Sequence, residues 1–521
     1  MCFYFLKKVL SKPAVKRCLI SGIAVCQSHF VFADDAAIDV IKQAVAAYGV
    51  QALSSLKQLK VEEELYRYKQ GQSGHAESGA HGFVMHKYQQ QLDIDFTLRA
   101  KAFKRSDQNV IGNYGYHSLV TVDRRFREGE GVSVDHCLQT YQPSARIDWD
   151  SVALDMEQAI DTLTIKELSD NSKLVRSAGI AFLQGRAHSV LNWEKSKVTK
   201  TAYIDKVSGL LSRLLTNNKG QKAQYDFLAH QQNAQGLKWA SQTIISYEQR
   251  VTRHITNRYL SLKTSDGALF QTPEYYQPRA QDKFLDFAEP SVNEIVRGVF
   301  LVGQGWGFTL FVDMGTSYIS MGSWQMPDDT FTWKQRLAKL HQFTGKKKPV
   351  SQFIVTHHHD DHLMGVSEVI EHGAQILLLA EHQQAVETSL GLPLTLEQVG
   401  LLSHGLKFAN GQVQVFDVPS SHADHNVVVY LPEQQILFAE DMFGSSLKAG
   451  FHSPNSWPSR DVYYRAEVLN KHLKNAGVSV QYYVSSHHGR VFSNAEFMRF
   501  LRLSCPDNDS LLARLYANES Q

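Results

Sequence analysis

The stretch Phe353-Ile-Val-Thr-His-His-His-Asp-Asp-His-Leu-Met-Gly365 concentrates the metal-binding chemistry of the chain. A largely apolar run ends at Thr356, and each of the next six side chains is an ordinary metal ligand. Read as H-x-H-x-D-H, the ligands are His357, His359, Asp361 and His362. Alternate residues of an extended segment point the same way, so His357 and His359 can reach one ion together. A turn after them would bring Asp361 and His362 to a neighbouring position. Neutral imidazole with carboxylate suits zinc, and also iron or manganese. A solvated His-rich tract binds metal adventitiously, but this one follows a buried-looking strand.

Three later segments supply partners. His422 sits in Val418-Pro-Ser-Ser-His-Ala-Asp-His-Asn426 between two β-like runs, with His425 close enough to replace it. Asp441 ends the apolar run Ile436-Leu-Phe-Ala-Glu-Asp-Met-Phe443. His488 follows a third run in Tyr483-Val-Ser-Ser-His-His-Gly489, and is preferred to His487 because Gly489 adjoins it. These ordered motifs resemble those of the metallo-β-lactamase fold superfamily, over roughly residues 290 to 492.

The resemblance implies a first ion held by His357, His359 and His422. It implies a second held by Asp361, His362 and His488, with Asp441 bridging the two. Two divalent ions, zinc by preference, ~3.5–4 Å apart would share a hydroxide. That hydroxide would attack an ester, thioester, lactone, lactam or sulfate/phosphate ester. Asp361 is the expected catalytic residue, orienting the nucleophile and passing a proton to the leaving group. Asp441 departs from the true β-lactamases of the superfamily, which favours ester-like substrates. The thioester hydrolases of glutathione conjugates carry a larger C-terminal domain than the 29 residues after Phe492 provide.

Two other readings use the same residues. Some members use iron to oxidise thiol compounds, although the complete set with His362 favours zinc hydrolysis. A non-enzymatic envelope protein would instead hold a structural metal, closed by four protein ligands. Asp313 is expected to bond the backbone of the metal loop, and Asp360, His425 and His487 to contact substrate or solvent. The Gly303-Gln-Gly-Trp-Gly307 stretch lacks the spacing of a phosphate-binding loop.

The elements that position these residues follow from patterning. At 521 residues, two domains are expected after a leader. Lys7, Lys8, Lys12, Lys16 and Arg17 precede the apolar Cys18–Cys26, and Val31-Phe-Ala33 offers a cleavage site. Residues 1–33 thus read as a signal peptide, and the protein as periplasmic or secreted. Its removal takes the formal charge from +2 to −3, which gives no argument for nucleic acid. The expected partner is a small-molecule substrate. Of the five cysteines only Cys137 and Cys505 then remain; they could pair in an oxidising compartment but are read as two buried free thiols.

Residues 34–280 read as a β-rich accessory domain. Ile38, Ile41, Val45 and Tyr48 mark an opening helix, interrupted near Gly49. Mostly strand-like sequence follows from Lys60 to Leu262, clearest in the alternation of Tyr88 to Phe103. A helix against a curved antiparallel sheet buries one face of each strand. The turn Asp205 to Gly209 is similar to the Asp-x-x-x-Gly hairpin of periplasmic lipoprotein carriers, which implies contact with an envelope lipid or lipoprotein. Gly267, Pro273, Pro278 and Pro290 mark the boundary. Residues 281–521, with strands and helices alternating around hairpins, read as an αβ/βα sandwich, making the whole chain α+β.

Overall fold

Asp34 opens the first helix, Asp35–Tyr48, by accepting the backbone N–H of Ala37 at 3.2 Å. The helix buries Ala37, Ile41, Ala44 and Tyr48, one stripe at helical spacing. A second short helix, Val50–Ser54, follows the interruption at Gly49. This computed structural model describes residues 34–79, 82–109, 119–262, 267–279, 287–326, 329–443, 460–502 and 506–516. The expected leader lies outside the described residues.

The first half builds one 14-stranded sheet. Its opening strand, Gln58–Gln70, pairs antiparallel with its last long strand, Arg250–Ser261, so two meanders join in the middle. The Tyr88 to Phe103 alternation is a hairpin, not one strand: Phe83–Asp95 turns into Ala100–Asn109. Asp95 makes the turn by accepting from the N–H groups of Thr97 and Leu98. The expected hairpin about Asp205 is present, with Val198–Asp205 leading to Leu211–Asn218. Patterning missed the helix Asp161–Asp170, which packs on the same face of the sheet as the opening helix. Its Asp and Thr residues are weak helix formers. Tertiary bonds hold it instead: Asp161 Oδ2 accepts from Tyr48 Oη at 2.6 Å and from Ala240 N at 2.9 Å.

Gln277–Pro278 still pairs with this sheet, beside Thr140–Pro143. The second half starts with Ser291–Val296 and builds a 7-stranded and a 6-stranded sheet. Alternation explains their layering. In Val299–Gln304, Val299 and Leu301 face the core between the sheets, while Phe300 and Val302 face an outer core with the helix Trp333–Thr344. In Val427–Leu431 of the other sheet, Val427, Val429 and Leu431 face inward. Val428 and Tyr430 turn to an outer core built with Arg460–Asn475 and Asn494–Phe500. This is the αβ/βα sandwich that the patterning predicts.

The C-terminal tail does not stay with the sandwich. Its helix, Asn508–Leu515, lies near the first sheet, where Arg514 Nη1 donates to the carbonyl of His136 at 2.9 Å. Next to His136, Cys137 is half-buried and disulfide-bonded, which corrects the expectation of two free thiols. Cys505 lies outside the described residues.

Candidate metal centre

Four strand ends deliver the site to one edge of the sandwich. The strand Val350–Ile354 leads into His357, and Val427 N donates to Thr356 O at 2.7 Å to tie the two sheets there. His422 sits in the loop between Val413–Asp417 and Val427–Leu431, held by Asn426 Nδ2 donating to the carbonyl of Ala423. Asp441 follows Ile436–Phe438, and His487 follows Tyr482–Val484.

Asp441 stands between two groups of imidazoles. Its Oδ2 is 2.8 Å from His422 Nε2, 3.4 Å from His362 Nε2 and 3.7 Å from His357 Nε2. Its Oδ1 is 2.5 Å from His487 Nε2. One ligand atom each from His357, His359, His422 and Asp441 lies within 4.8 Å of the others, and so it is for His362, Asp441 and His487. The two groups share Asp441, so that one carboxylate could bridge two ions.

Donor chemistry fits divalent cations. His359 Nδ1 is buried with no hydrogen-bond partner, an expensive state for an imidazole unless a ligand takes it. Burial, with neighbouring His422 and His357, holds His359 well below the ordinary histidine range, and burial pushes His422 down to about 3. Both are then neutral and ready to ligate. Burial would lower His362 too, but the carboxylates of Glu440, Asp441 and Asp361 raise it well above its usual range. That excess of negative charge is what a cation would neutralise.

Two expected ligands stand elsewhere. His488 is buried, but its Nδ1 accepts from Arg490 N at 3.3 Å and its ring meets Phe492 edge-on at 5.4 Å. His487 takes the position at Asp441. Gly489 has a packing role instead: a Cβ there would lie 2.8 Å from Phe287 and 2.9 Å from Phe308. Asp361 lies outside both ligand groups. Its Oδ1 accepts from Gln72 Nε2 at 2.9 Å and its Oδ2 from Trp324 Nε1 at 3.0 Å.

The secondary expectations also sort by geometry. Asp313 does not bond the metal loop; it pairs with Lys348 Nζ at 2.6 Å and caps the turn at Gly315. His425 bonds Asp417 at 2.7 Å rather than replacing His422. Asp360 is half-buried, with its carboxylate and backbone bonded to the loop of the first sheet.

That loop is the main feature hidden from sequence reasoning. It joins Gln58–Gln70 to Phe83–Asp95 and reaches into the metal centre. The Ser73 carbonyl accepts from His359 Nε2 at 2.9 Å and from His358 Nε2 at 2.6 Å. A histidine that gives one ring N–H to a carbonyl presents its other nitrogen as a ligand, here His359 Nδ1. Gln72 holds Asp361, and Lys69 Nζ donates to Gln72 Oε1 at 3.3 Å. Asp424, two residues past His422, accepts from Ala76 N at 2.9 Å and donates its own N–H to Gly74 O at 2.9 Å.

Glu440 was also missed, although it adjoins Asp441. It is buried behind the site, with Oε2 3.4 Å from His357 Nδ1, 3.0 Å from His362 Nδ1 and accepting from Thr356 Oγ1. Burial alone would raise its pKa, but His362 and His357 outweigh it and hold the carboxyl well below its usual range. One anion thus turns Nε2 of two histidines toward Asp441. Glu440→Gln keeps the shape and removes the charge. It is expected to weaken metal affinity by about 10- to 100-fold, read by competition with a chromogenic chelator. Unchanged affinity would show that Glu440 orients neither ring.

No family model matches the chain. Two curated relatives do, each named "Metallo-beta-lactamase type 2", from Bacillus sp. (strain 170) and Bacillus cereus. Each is 33% identical over 112 residues, 20% of this chain, and the chain spans 42% of the relative's length. A solved metallo-beta-lactamase from Pontibacter korlensis is 22% identical, with 41% of this chain and 98% of that one covered and a TM-score of 0.32. In its sequence matches and in the order of its histidine and aspartate motifs on the paired sheets, the second half of the chain is similar to the metallo-β-lactamase fold superfamily.

Proposed function

We propose that the protein is an exported, metal-dependent hydrolase of ester, thioester, lactone, lactam or sulfate/phosphate ester bonds. The observation that carries this reading is Asp441, with histidines at both carboxylate oxygens. His357, His359 and His422 would hold one divalent ion and His362 and His487 a second, with Asp441 between. When bound, such ions supply an activated water and polarise the scissile group. The chain's own residues orient that chemistry. Glu440 and the Ser73 carbonyl set the ring tautomers, and Arg465 Nη1 fixes the Asp441 backbone by donating to its carbonyl at 2.6 Å. Asp361, braced by Gln72 and Trp324, would take a proton and return it to the leaving group. The relatives are named as β-lactamases, but the bridging carboxylate favours ester-like substrates. The disulfide at Cys137 supports an oxidising, extracytoplasmic location.

The test is a hydrolysis screen across esters, thioesters, lactones, lactams, and sulfate and phosphate esters. It is run on the full chain as purified, after chelation and after zinc is restored. Turnover lost on chelation and regained with zinc is expected. Turnover that survives chelation, or none on any class after loading with two zinc equivalents, would overturn the proposal. Metal analysis of protein purified without added metal distinguishes zinc from iron.

A further inference from the structure

Four arginines from four strands of the first sheet line one cavity: Arg67, Arg105, Arg124 and Arg253. Asp155 is the one carboxylate in the lining; it is 2.9 Å from Arg253 Nη2, and its side chain is 70% exposed. Arg67 Nη1 donates to Tyr88 Oη at 3.0 Å, and the Arg105 guanidinium lies 4.7 Å over the Tyr88 ring, so both are held in place by an aromatic neighbour. Arg105 Nε is buried with no hydrogen-bond partner. Burial and the adjacent Arg105 charge lower Arg124 from its usual range, as expected of like charges held together. Asp107 and Asp155 both act on Arg67, but four permanent cations still outnumber these carboxylates, which is costly unless an anion completes the cavity.

The remaining wall is mixed, with Gln90 and Ser151 beside an apolar side. Leu65, Phe103, Val152 and Met156 border the space, which measures about 270 Å³. That is several times a bare sulfate or carboxylate, so there is room for an organic body behind the charge. Planar guanidinium forks match the paired oxygens of sulfate, phosphate and carboxylate.

We propose that this cavity is a binding site for a small amphiphile, an oxyanion carried on an apolar body. The site lies on the first sheet, outside the metal centre, and does not rest on the hydrolase reading.

The experiment is calorimetric titration of the full chain, metal-stripped with chelator so that no turnover intervenes. The probes are hexyl sulfate, hexyl phosphate, hexanoate and hexanol. At least one anionic probe is expected to bind saturably at one site per chain, at least about tenfold more tightly than hexanol. The double variant Arg105→Gln/Arg124→Gln is expected to lose at least about tenfold in affinity for that probe. The ranking of the three anions then assigns the oxyanion. If no anionic probe binds better than hexanol, or a folded double variant binds as wild type does, the proposal is overturned. Should the double variant fail to fold, the wild-type comparison against hexanol decides alone.

Discussion

His487→Ala is expected to lower turnover about a thousandfold and to remove one equivalent of bound metal, while His488→Ala keeps both equivalents. The difference follows from one carboxylate. His487 Nε2 is 2.5 Å from Asp441 Oδ1, and the ring of Trp324 meets it edge-on at 5.4 Å. Its loss leaves that oxygen and His362 as the remaining members of the second ligand group. A missing metal contact is worth several kcal/mol in the transition state, and each ~1.4 kcal/mol is a factor of ten. His488 has its ring against Phe492 instead, so its truncation leaves a small void in a buried turn. That variant should therefore be less stable but equally loaded with metal. Metal content by mass spectrometry, with kcat, checks both variants. Loss of metal in His488→Ala with retention in His487→Ala would reverse the assignment and return it to the residue beside Gly489.

The contrast between those two neighbours shows what a sequence can reveal of such a centre. Ligands near strand ends are legible because a buried apolar run must end at the sheet edge, and a histidine there has few structural reasons to exist. His357, His359, His362, His422 and Asp441, singled out by the H-x-H-x-D-H motif and by what the family resemblance implies, are brought together by the fold. Which of two adjacent histidines turns inward is not legible, because a single residue's rotation is set by tertiary contacts. Here those contacts are Phe287, ahead of the second half's first strand, and Phe308, in the strand Gly307–Asp313, both far upstream in sequence and packed at Gly489. The same holds for Asp361: Gln72, its partner, lies 289 positions earlier, in a loop of the first sheet. No local pattern carries a contact of that span. The sheets of the sandwich were legible from alternation, whereas the helix Asp161–Asp170 was not, since its stability comes from Tyr48 and the backbone of Ala240 rather than its own composition.

Gly71→Ala is expected to lower turnover about a hundredfold although Gly71 belongs to the first sheet's loop and supplies no ligand. Gly71 has φ +77°, a conformation that L side chains rarely adopt. An added Cβ would fall inside the carboxylate of Asp360. The same backbone accepts from Asp360 N at 3.2 Å and bonds across the loop from Gly71 N to Gly82 O at 2.7 Å. The strained backbone costs about 1–3 kcal/mol, and the steric conflict remains until the loop or Asp360 moves. Either movement carries Gln72 away from Asp361 and the Ser73 carbonyl away from His359. A displacement of ~1 Å at such positions can cost 10²-fold in rate. A merely destabilised sheet would instead show a lower melting point with normal kcat in the folded fraction. Cobalt-substituted protein separates the two, because its visible spectrum reports the geometry around His359. An unchanged cobalt spectrum with unchanged kcat would mean that the loop only rests on the metal centre. A shifted spectrum with reduced kcat would mean that the two sheet systems form one working site.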